Sequence, residues 1–379
     1  MTERVYLDWN ATTPLRPEAK AAMAGAWDLA GNPSSVHAEG RQARRMVEDA
    51  RAAVATAVGA APRNVIFASG GTEANALALA PGVKREGGAP AQRLLVSAIE
   101  HASVLSGGRF PADAVVRIGV TPDGLIDLDQ LRGALANGPP ALVSIMAANN
   151  ETGAIQPVAA AAEIVHSAGC LLHVDAVQAL GKMPINISEL GADLISLSAH
   201  KIGGPKGIGA LVAAEGVEGV EPLVRGGGQE RGYRAGTENV VGIAGFGAAV
   251  TLETGRTRVE ALRNRLERGL KQASGAIIFS EQVPRIPNTT LFTVPGLRAE
   301  TAVIGFDLAG IAVSSGSACS SGKVQPSHVL EAMGFGPKIA QGAVRLSLGW
   351  STSETDIDRA LEAWRKLSDA LLREERNTA

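Results

Sequence analysis

Between about residues 60 and 215 the chain alternates short aliphatic runs with Ala-rich stretches, and this alternation narrows the possible folds most. The runs at 65–68, 94–98, 114–118, 141–147, 171–174, 194–198 and 210–213 are apolar on both faces. A sheet with one wet face would alternate polar and apolar residues, so these runs read as strands covered by helices on both sides. Between two of them Pro157 opens a helix and Gly169 closes it, the asymmetry expected at helix ends. The repeated strand–helix order predicts an α/β domain built on a large, doubly wound, mostly parallel sheet. Ligands of such sheets sit at the carboxyl ends of the strands, so chemistry is expected where each run stops.

After about residue 250 the pattern changes. A charged helix over 256–272 leads to strands at 289–294, 311–314 and 343–348. The last helix starts at Ser353 and carries Glu354, Asp356 and Asp358 in its first turns. It repeats Ile357, Ala360, Leu361, Trp364, Leu367 and Leu371 on one face, so it has a cap, acids at the positive dipole end and a single apolar stripe. These features predict a second, smaller α+β domain, and 379 residues suffice for two cores. Between the two patterns lies the Gly-rich stretch 225–237, which on composition alone is a flexible linker.

Composition excludes several partners. With 36 Lys+Arg against 38 Asp+Glu, the net charge of −2 provides no field for nucleic acid or an anionic membrane. No apolar run reaches bilayer length, and the first residues lack a signal-peptide core. Two Cys cannot build a disulfide framework or supply a metal site alone, so no intrinsic metal and a reducing, cytoplasmic setting are expected.

The polar residues cluster at strand ends. Ser69-Gly70-Gly71-Thr72-Glu73 follows the 65–68 run and opens a helix, which offers backbone N–H groups to a phosphate or simply makes a tight turn. Asp175 ends a strand in His173-Val174-Asp175-Ala176-Val177-Gln178, where it either caps a helix or meets a cation. Ser198-Ala199-His200-Lys201 ends another strand, where desolvation could lower an amine pKa enough for Schiff-base chemistry. Phosphate donors, a carboxylate for a pyridinium nitrogen and an amine for an aldehyde are the three contacts that pyridoxal 5'-phosphate demands. The run Asn149-Asn150-Glu151-Thr152-Gly153 and the pair Glu100-His101 also end strands and are expected to line the same crevice.

In the second domain Cys319 sits in the small-residue loop Ser314-Ser315-Gly316-Ser317-Ala318-Cys319-Ser320-Ser321-Gly322, where a thiol is better placed for reaction than for packing. Cys170 opens an apolar run and is expected to be an inert core residue. Arg345 interrupts the apolar run Val344-Arg345-Leu346-Ser347-Leu348 and must find a carboxylate, either a substrate's or a structural partner's.

These stretches, with Leu7-Asp8-Trp9-Asn10-Ala11-Thr12-Thr13-Pro14, Gly31-Asn32-Pro33-Ser34-Ser35 and the segment from Arg231 to Thr237, run nearly end to end. In order and spacing the chain resembles the class V aminotransferase-like, fold-type I pyridoxal phosphate enzymes. Among these it resembles the cysteine desulfurases of the nitrogen-fixation and iron–sulfur housekeeping group. The resemblance implies a large cofactor-binding domain over 15–257, and a small domain of 1–14 and 258–379 that carries the Cys loop. It makes Lys201 the Schiff-base lysine, Asp175 the pyridinium partner, and His101 the ring-stacking proton shuttle. Asn150 and Gln178 would flank the ring, Gly71, Thr72, Ser198 and His200 would hold the phosphate, and Thr237 would reach it from the other subunit of a homodimer. Asn150 and Arg345 would grip the substrate carboxylate.

Cys319 would take the sulfur of L-cysteine as a persulfide, leaving L-alanine, and pass it to an acceptor or an iron–sulfur scaffold protein, where it could transiently ligate a forming cluster. The Ser-Ser-Gly-Ser-Ala-Cys loop points to the long-loop group. Housekeeping relatives continue past the position of Ala379 with a tail that helps to dock the scaffold, so the resemblance leaves docking to that scaffold open here. The alternatives on the same fold are a selenocysteine lyase and a class V aminotransferase in which Cys319 is incidental.

Overall fold

All the expected strands between 65 and 213 enter one seven-stranded sheet. In chain order they are β1 (Val65–Ala68), β2 (Arg93–Ser97), β3 (Val115–Ile118), β4 (Ala141–Met146), β5 (Leu171–Asp175), β6 (Leu194–Ser198) and β7 (Gly209–Ala213). Across the sheet they run β1-β7-β6-β5-β4-β2-β3. The computed structural model describes residues 4–316 and 326–378, with side chains up to Asp369.

Five strands, β2 to β6, are mutually parallel, whereas β7 runs antiparallel to both neighbours. The reason is local. Residues 199–208 contain only the 3₁₀ turn Ala199–Lys201, and a parallel return needs a longer crossover. The antiparallel return keeps that turn, with His200 and Lys201, at the carboxyl edge of the sheet.

Successive residues along the strands feed opposite cores. Phe67, Leu95, Val143, Leu172 and Ile195 pack on one face with Val47, Val54 and Phe246, while Ile66, Leu94, Leu142, Leu171 and Leu194 pack on the other with Leu77. The helices Ala38–Ala57 and Val240–Val250 cover the first face, and a Cβ at Gly247 would come within 2.6 Å of the Ala50 Cβ. That closeness accounts for the glycines of the apolar helix Val240–Val250, which is largely buried. Cys170 is buried, as its place before an apolar strand predicts.

The later part of the chain builds a four-stranded antiparallel sheet from β8 (Ile277–Ile278), β9 (Thr289–Thr293), β10 (Ser314–Ser315) and β11 (Val344–Ser347), ordered β8-β9-β11-β10. The expected strand over 311–314 is split. Ile311–Ala312 pairs in parallel with Val5–Tyr6, and the chain then changes sheets to pair Ser314 with Arg345. Val5 and Leu7 join Leu266, Phe292, Phe306, Leu346 and Trp364 in one core, in which Phe292 and Trp364 meet edge-on at 4.9 Å. The helix Glu354–Thr378 is capped as expected, for Ser353 Oγ accepts from Asp356 N–H while Asp356 accepts from Ser353 N–H. No helix among the described residues is long and apolar enough to cross a membrane.

The stretch 225–237 is not a plain linker. Glu230 is buried and accepts both guanidinium N–H groups of Arg51, at 2.7 and 2.8 Å, as well as Phe67 N–H at 2.9 Å. This pair is what holds Glu230 and Arg231 at φ of 46° and 57°, an unfavourable region for residues other than glycine. Breaking one side of a buried pair leaves an uncompensated charge, so Arg51→Met should cost about 3–5 kcal/mol in urea unfolding. A loss below about 1 kcal/mol would mean that the pair is not desolvated as described.

Candidate active site

The sheet places β5 and β6 side by side, with Asp175 opposite Ser196 in register. Asp175 therefore ends its strand next to Ser198, and the 3₁₀ turn after Ser198 brings His200 and Lys201 to the same edge. The helix Gly71–Ala78 begins there too. Between these elements lies a cavity of about 270 Å³. Its lining includes Gly71, Thr72, His101, Asn150, Asp175, Gln178, Ser198, His200, Lys201 and Arg345. Thus ten residues singled out from the sequence, spread from 71 to 345, converge on one hollow.

Asp175 accepts from Val177 N–H at 3.0 Å and from Asn75 Nδ2 at 2.8 Å. The same Asn75 nitrogen donates to Ser103 Oγ at 2.9 Å, and Ser103 Oγ lies 2.8 Å from His101 Nδ1. Ser103 N–H also points to Nδ1 at 3.2 Å, which makes Nδ1 an acceptor and puts the proton of the neutral ring on Nε2. The carboxylate and the imidazole are thus tied to one frame. Asn75 and Ser103 had no sequence signal as site residues, since each is a neutral side chain on a helix.

Lys201 Nζ donates to the carbonyls of Asn10 and Ala11 at 2.5 and 2.9 Å. Asn10 is a further residue that sequence reading left without a role. Its carbonyl also accepts from Gln178 Nε2 at 2.9 Å, and its Nδ2 donates to the Asn150 carbonyl and to Thr289 Oγ1. Arg345, 2% exposed, donates to Asp8 Oδ1 at 2.8 Å and to the Asn150 carbonyl at 3.0 Å, while its buried Nε has no hydrogen-bond partner among the described residues. Arg345 therefore has a structural carboxylate partner in Asp8, and it also lines the cavity. His200 is driven down to about 4, by burial first and then by the charges of Lys201, Lys206 and Lys182, so it is neutral at pH 7.

Two acids depart from the expected crevice lining. Glu100 is wholly buried and accepts Met146 N–H at 2.6 Å, and burial followed by the Asp175 charge pushes its carboxyl well above the usual range. Asn149, Thr152 and Glu151 are also interior, and Asn149 Oδ1 caps the turn by accepting Glu151 and Thr152 N–H groups. So His101 and Asn150 of those two motifs reach the cavity, while their neighbours turn inward onto buried hydrogen-bond partners.

Glu151 accepts from Ser327 Oγ at 2.5 Å, and a Cβ at Gly316 would lie 3.4 Å from its Oε2. Burial raises Glu151 from 4.5 to about 7 against the opposing Ser327 hydrogen bond and Arg345 charge. The folded state therefore favours the protonated acid, and this contribution is full below pH 4.5, fades towards pH 7 and changes no further above it. The displacement corresponds to about 3 kcal/mol. Measured as unfolding free energy against pH, wild type should lose that amount relative to Glu151→Gln between pH 4.5 and 7. A difference that stays constant with pH would show that Glu151 is ionised throughout.

Thr237 lines a separate hollow, with Phe67, Gly207 and Glu238, rather than the main cavity. Cys319 lies outside the described residues. Among the described residues no group of three or more His, Cys, Asp or Glu could hold a metal ion.

The family model for class-V aminotransferases matches residues 5–360. The chain is 46% identical to a cysteine desulfurase of Cereibacter sphaeroides, covering 97% of each chain, and 39% identical to the cysteine desulfurase IscS of Dictyoglomus turgidum, covering 98% of this chain and 96% of that one. Among solved structures, the NifS-like protein of Rickettsia africae superposes with a TM-score of 0.87 at 38% identity, over 97% of this chain and all of that one (100%). A structure described as SspA in complex with cysteine matches with a TM-score of 0.77 at 30% identity, over 91% of this chain and 98% of that one. The chain belongs to the class-V aminotransferase family, whose members are pyridoxal phosphate-dependent enzymes. Within that family it is one of the cysteine desulfurases.

The cavity suits that cofactor. A Cβ at Gly71 would come within 2.7 Å of Val177 Cγ2, so only glycine lets the backbone at this helix start approach so closely. Asp175 is buried with no cation bonded to it among the described residues, as a carboxylate awaiting a pyridinium N–H would be. Lys201 lines the same cavity.

Proposed function

We propose that the cavity holds pyridoxal 5'-phosphate and that the enzyme moves the sulfur of L-cysteine onto Cys319, releasing L-alanine. The convergence of Lys201, Asp175 and the Gly71 helix start on one cavity is the observation that carries this reading. Lys201 would hold the cofactor aldehyde and Asp175 the ring N–H. Backbone N–H groups of Gly71 and Thr72, with Ser198 and neutral His200, would hold the phosphate. Gln178 would meet the phenolic oxygen, and His101 would cover the ring.

When bound, the cofactor supplies an electron sink for the carbanion at the substrate Cα. The protein residues do the rest. Arg345 and Asn150 hold the substrate carboxylate, which fixes the face on which Lys201 Nζ takes the α-proton. His101, with its proton on Nε2, can give that proton up to the reacting substrate and take one back at the same atom. Cys319 as thiolate attacks the substrate Sγ, and an S–S bond forms as the Cβ–Sγ bond breaks. The electron pair stays with Cβ, which takes a proton and leaves as the methyl group of L-alanine. Thiol plus cysteine thus gives persulfide plus alanine, with no external oxidant.

Because the reaction needs a reduced thiol, a reducing cytoplasmic setting belongs to this reading. The persulfide would then pass to an acceptor thiol or to an iron–sulfur scaffold protein. With L-cysteine and an excess of thiol, alanine and sulfide should appear in equal amounts. Pyruvate dependence without sulfide would instead make the protein an aminotransferase.

The division into 15–257 and 1–14 with 258–379 is part of this proposal, supported by Val5 and Leu7 packing with Phe292 and Trp364. So is a homodimer in which Thr237, away from the cavity of its own chain, reaches the phosphate of its partner. Light scattering at micromolar concentration should give about twice the chain mass of 38.9 kDa. An active monomer would take Thr237 out of the site.

A further inference from the structure

Behind the cavity wall lies a second buried amine that the reaction above does not use. Lys182, 7% exposed, follows Gln178 at i+4 and does not line the cofactor cavity. Its Nζ donates to Gln178 Oε1 at 2.5 Å and to Asn10 Oδ1 at 3.1 Å. Both acceptors are neutral. The charged groups that act on Lys182 are the cations Lys201 and Arg345, and Lys182 in turn acts on His200. Burial, and then those two charges, hold its amine well below the usual lysine range. A buried amine with neutral acceptors and cationic neighbours is a costly way to fill space, which Met or Leu would do without penalty.

What the amine gains is control of a carboxamide. Gln178 has one acceptor oxygen and two N–H donors on a group that can rotate by half a turn with little change in shape. Lys182 occupies the oxygen. One N–H goes to the Asn10 carbonyl at 2.9 Å, and the second N–H is what remains for the cavity that Gln178 lines. Asn10 is held from the same side, since its Oδ1 accepts from Lys182 and from Asn288 Nδ2 at 3.1 Å, while its carbonyl receives Lys201. One ammonium or amine therefore orients both residues that bracket Lys201.

We propose that Lys182 is a positioning residue, which fixes the Gln178 carboxamide so that its N–H rather than its oxygen meets the phenolic oxygen of the cofactor. The inference rests on the pyridoxal phosphate reading and adds to it a residue that touches neither cofactor nor substrate. A donor on an anionic oxygen favours the deprotonated form of the bound chromophore, and a lone pair facing it would do the opposite.

The test is the pH titration of visible absorbance in the cofactor-loaded protein. Lys182→Met should raise the midpoint by about one pH unit, a tenfold change in proton affinity. Gln178→Leu should raise it as well, and the double variant should lie no higher than Gln178→Leu alone, because one residue acts through the other. Lys182→Gln, which keeps a donor without a charge, should stay near wild type and also serves if Lys182→Met does not accumulate. A Lys182→Met shift that persists in full beside Gln178→Leu, or a Lys182→Gln shift as large as that of Lys182→Met, would mean a through-space charge effect and overturn the proposal. An unmoved Lys182→Met midpoint in a coloured, titrating series would overturn it too. A wild-type protein that takes up no chromophore from added pyridoxal phosphate would instead remove the cofactor reading on which it rests.

Discussion

Lys201→Ala should lower turnover of L-cysteine by about a thousandfold or more, since under the proposed function the same amine would hold the cofactor and move the α-proton. The geometry supports this double use. Lys201 leaves the carboxyl end of β6 on a short 3₁₀ turn, so its position is fixed by the sheet rather than by a long loop. Its nitrogen donates to the carbonyls of Asn10 and Ala11, which hold it at the cavity. Borohydride reduction of the yellow wild-type protein, followed by peptide mapping, should find the cofactor adduct on Lys201. An adduct on Lys206, or a variant that keeps its rate, would assign the amine chemistry elsewhere.

Cys319→Ala should keep the colour and bind L-cysteine, because Lys201, Asp175 and Arg345 are untouched. It should nevertheless lose sulfide and alanine production by a factor comparable to that for Lys201→Ala, since no thiolate remains to attack the substrate sulfur. A spectral change on adding L-cysteine should appear and then fail to decay at the wild-type rate. Cys170→Ala is the matching control. That thiol is buried against the sheet, where it accepts from Ala141 N–H, so its loss should cost stability of about 1–2 kcal/mol and no chemistry. If Cys319→Ala turned over cysteine normally, a lyase or transaminase reading would take the place of the persulfide route.

The large sheet was legible because its strands are buried on both faces, which leaves runs such as Leu94–Val96 and Ile195–Leu197 with little but aliphatic side chains. The charged members of the site were legible for the complementary reason. Asp175, Lys201 and Arg345 stand out against apolar strands, where an unpaired charge would be costly. Neutral polar residues carry no such contrast. Asn10 bonds to Lys182, Lys201 and Thr289, partners that lie 172, 191 and 279 positions away, so its role is a product of the fold alone. Asn75 and Lys182 were hidden in the same way. Glu230 was masked by its glycine neighbours, because its ion pair with Arg51 spans 179 positions and cannot be read from composition. The Glu151 contact with Ser327 likewise joins distant segments, one on each side of the Cys319 loop region.

Persulfide-trapping mass spectrometry after a single turnover with L-cysteine bears most directly on the central claim. The wild-type protein should carry one additional sulfur on the peptide containing Cys319, none on that containing Cys170, and one alanine should be released for each sulfur gained. An extra sulfur on Cys170, or alanine formed while both thiols stay unmodified, would contradict transfer through Cys319.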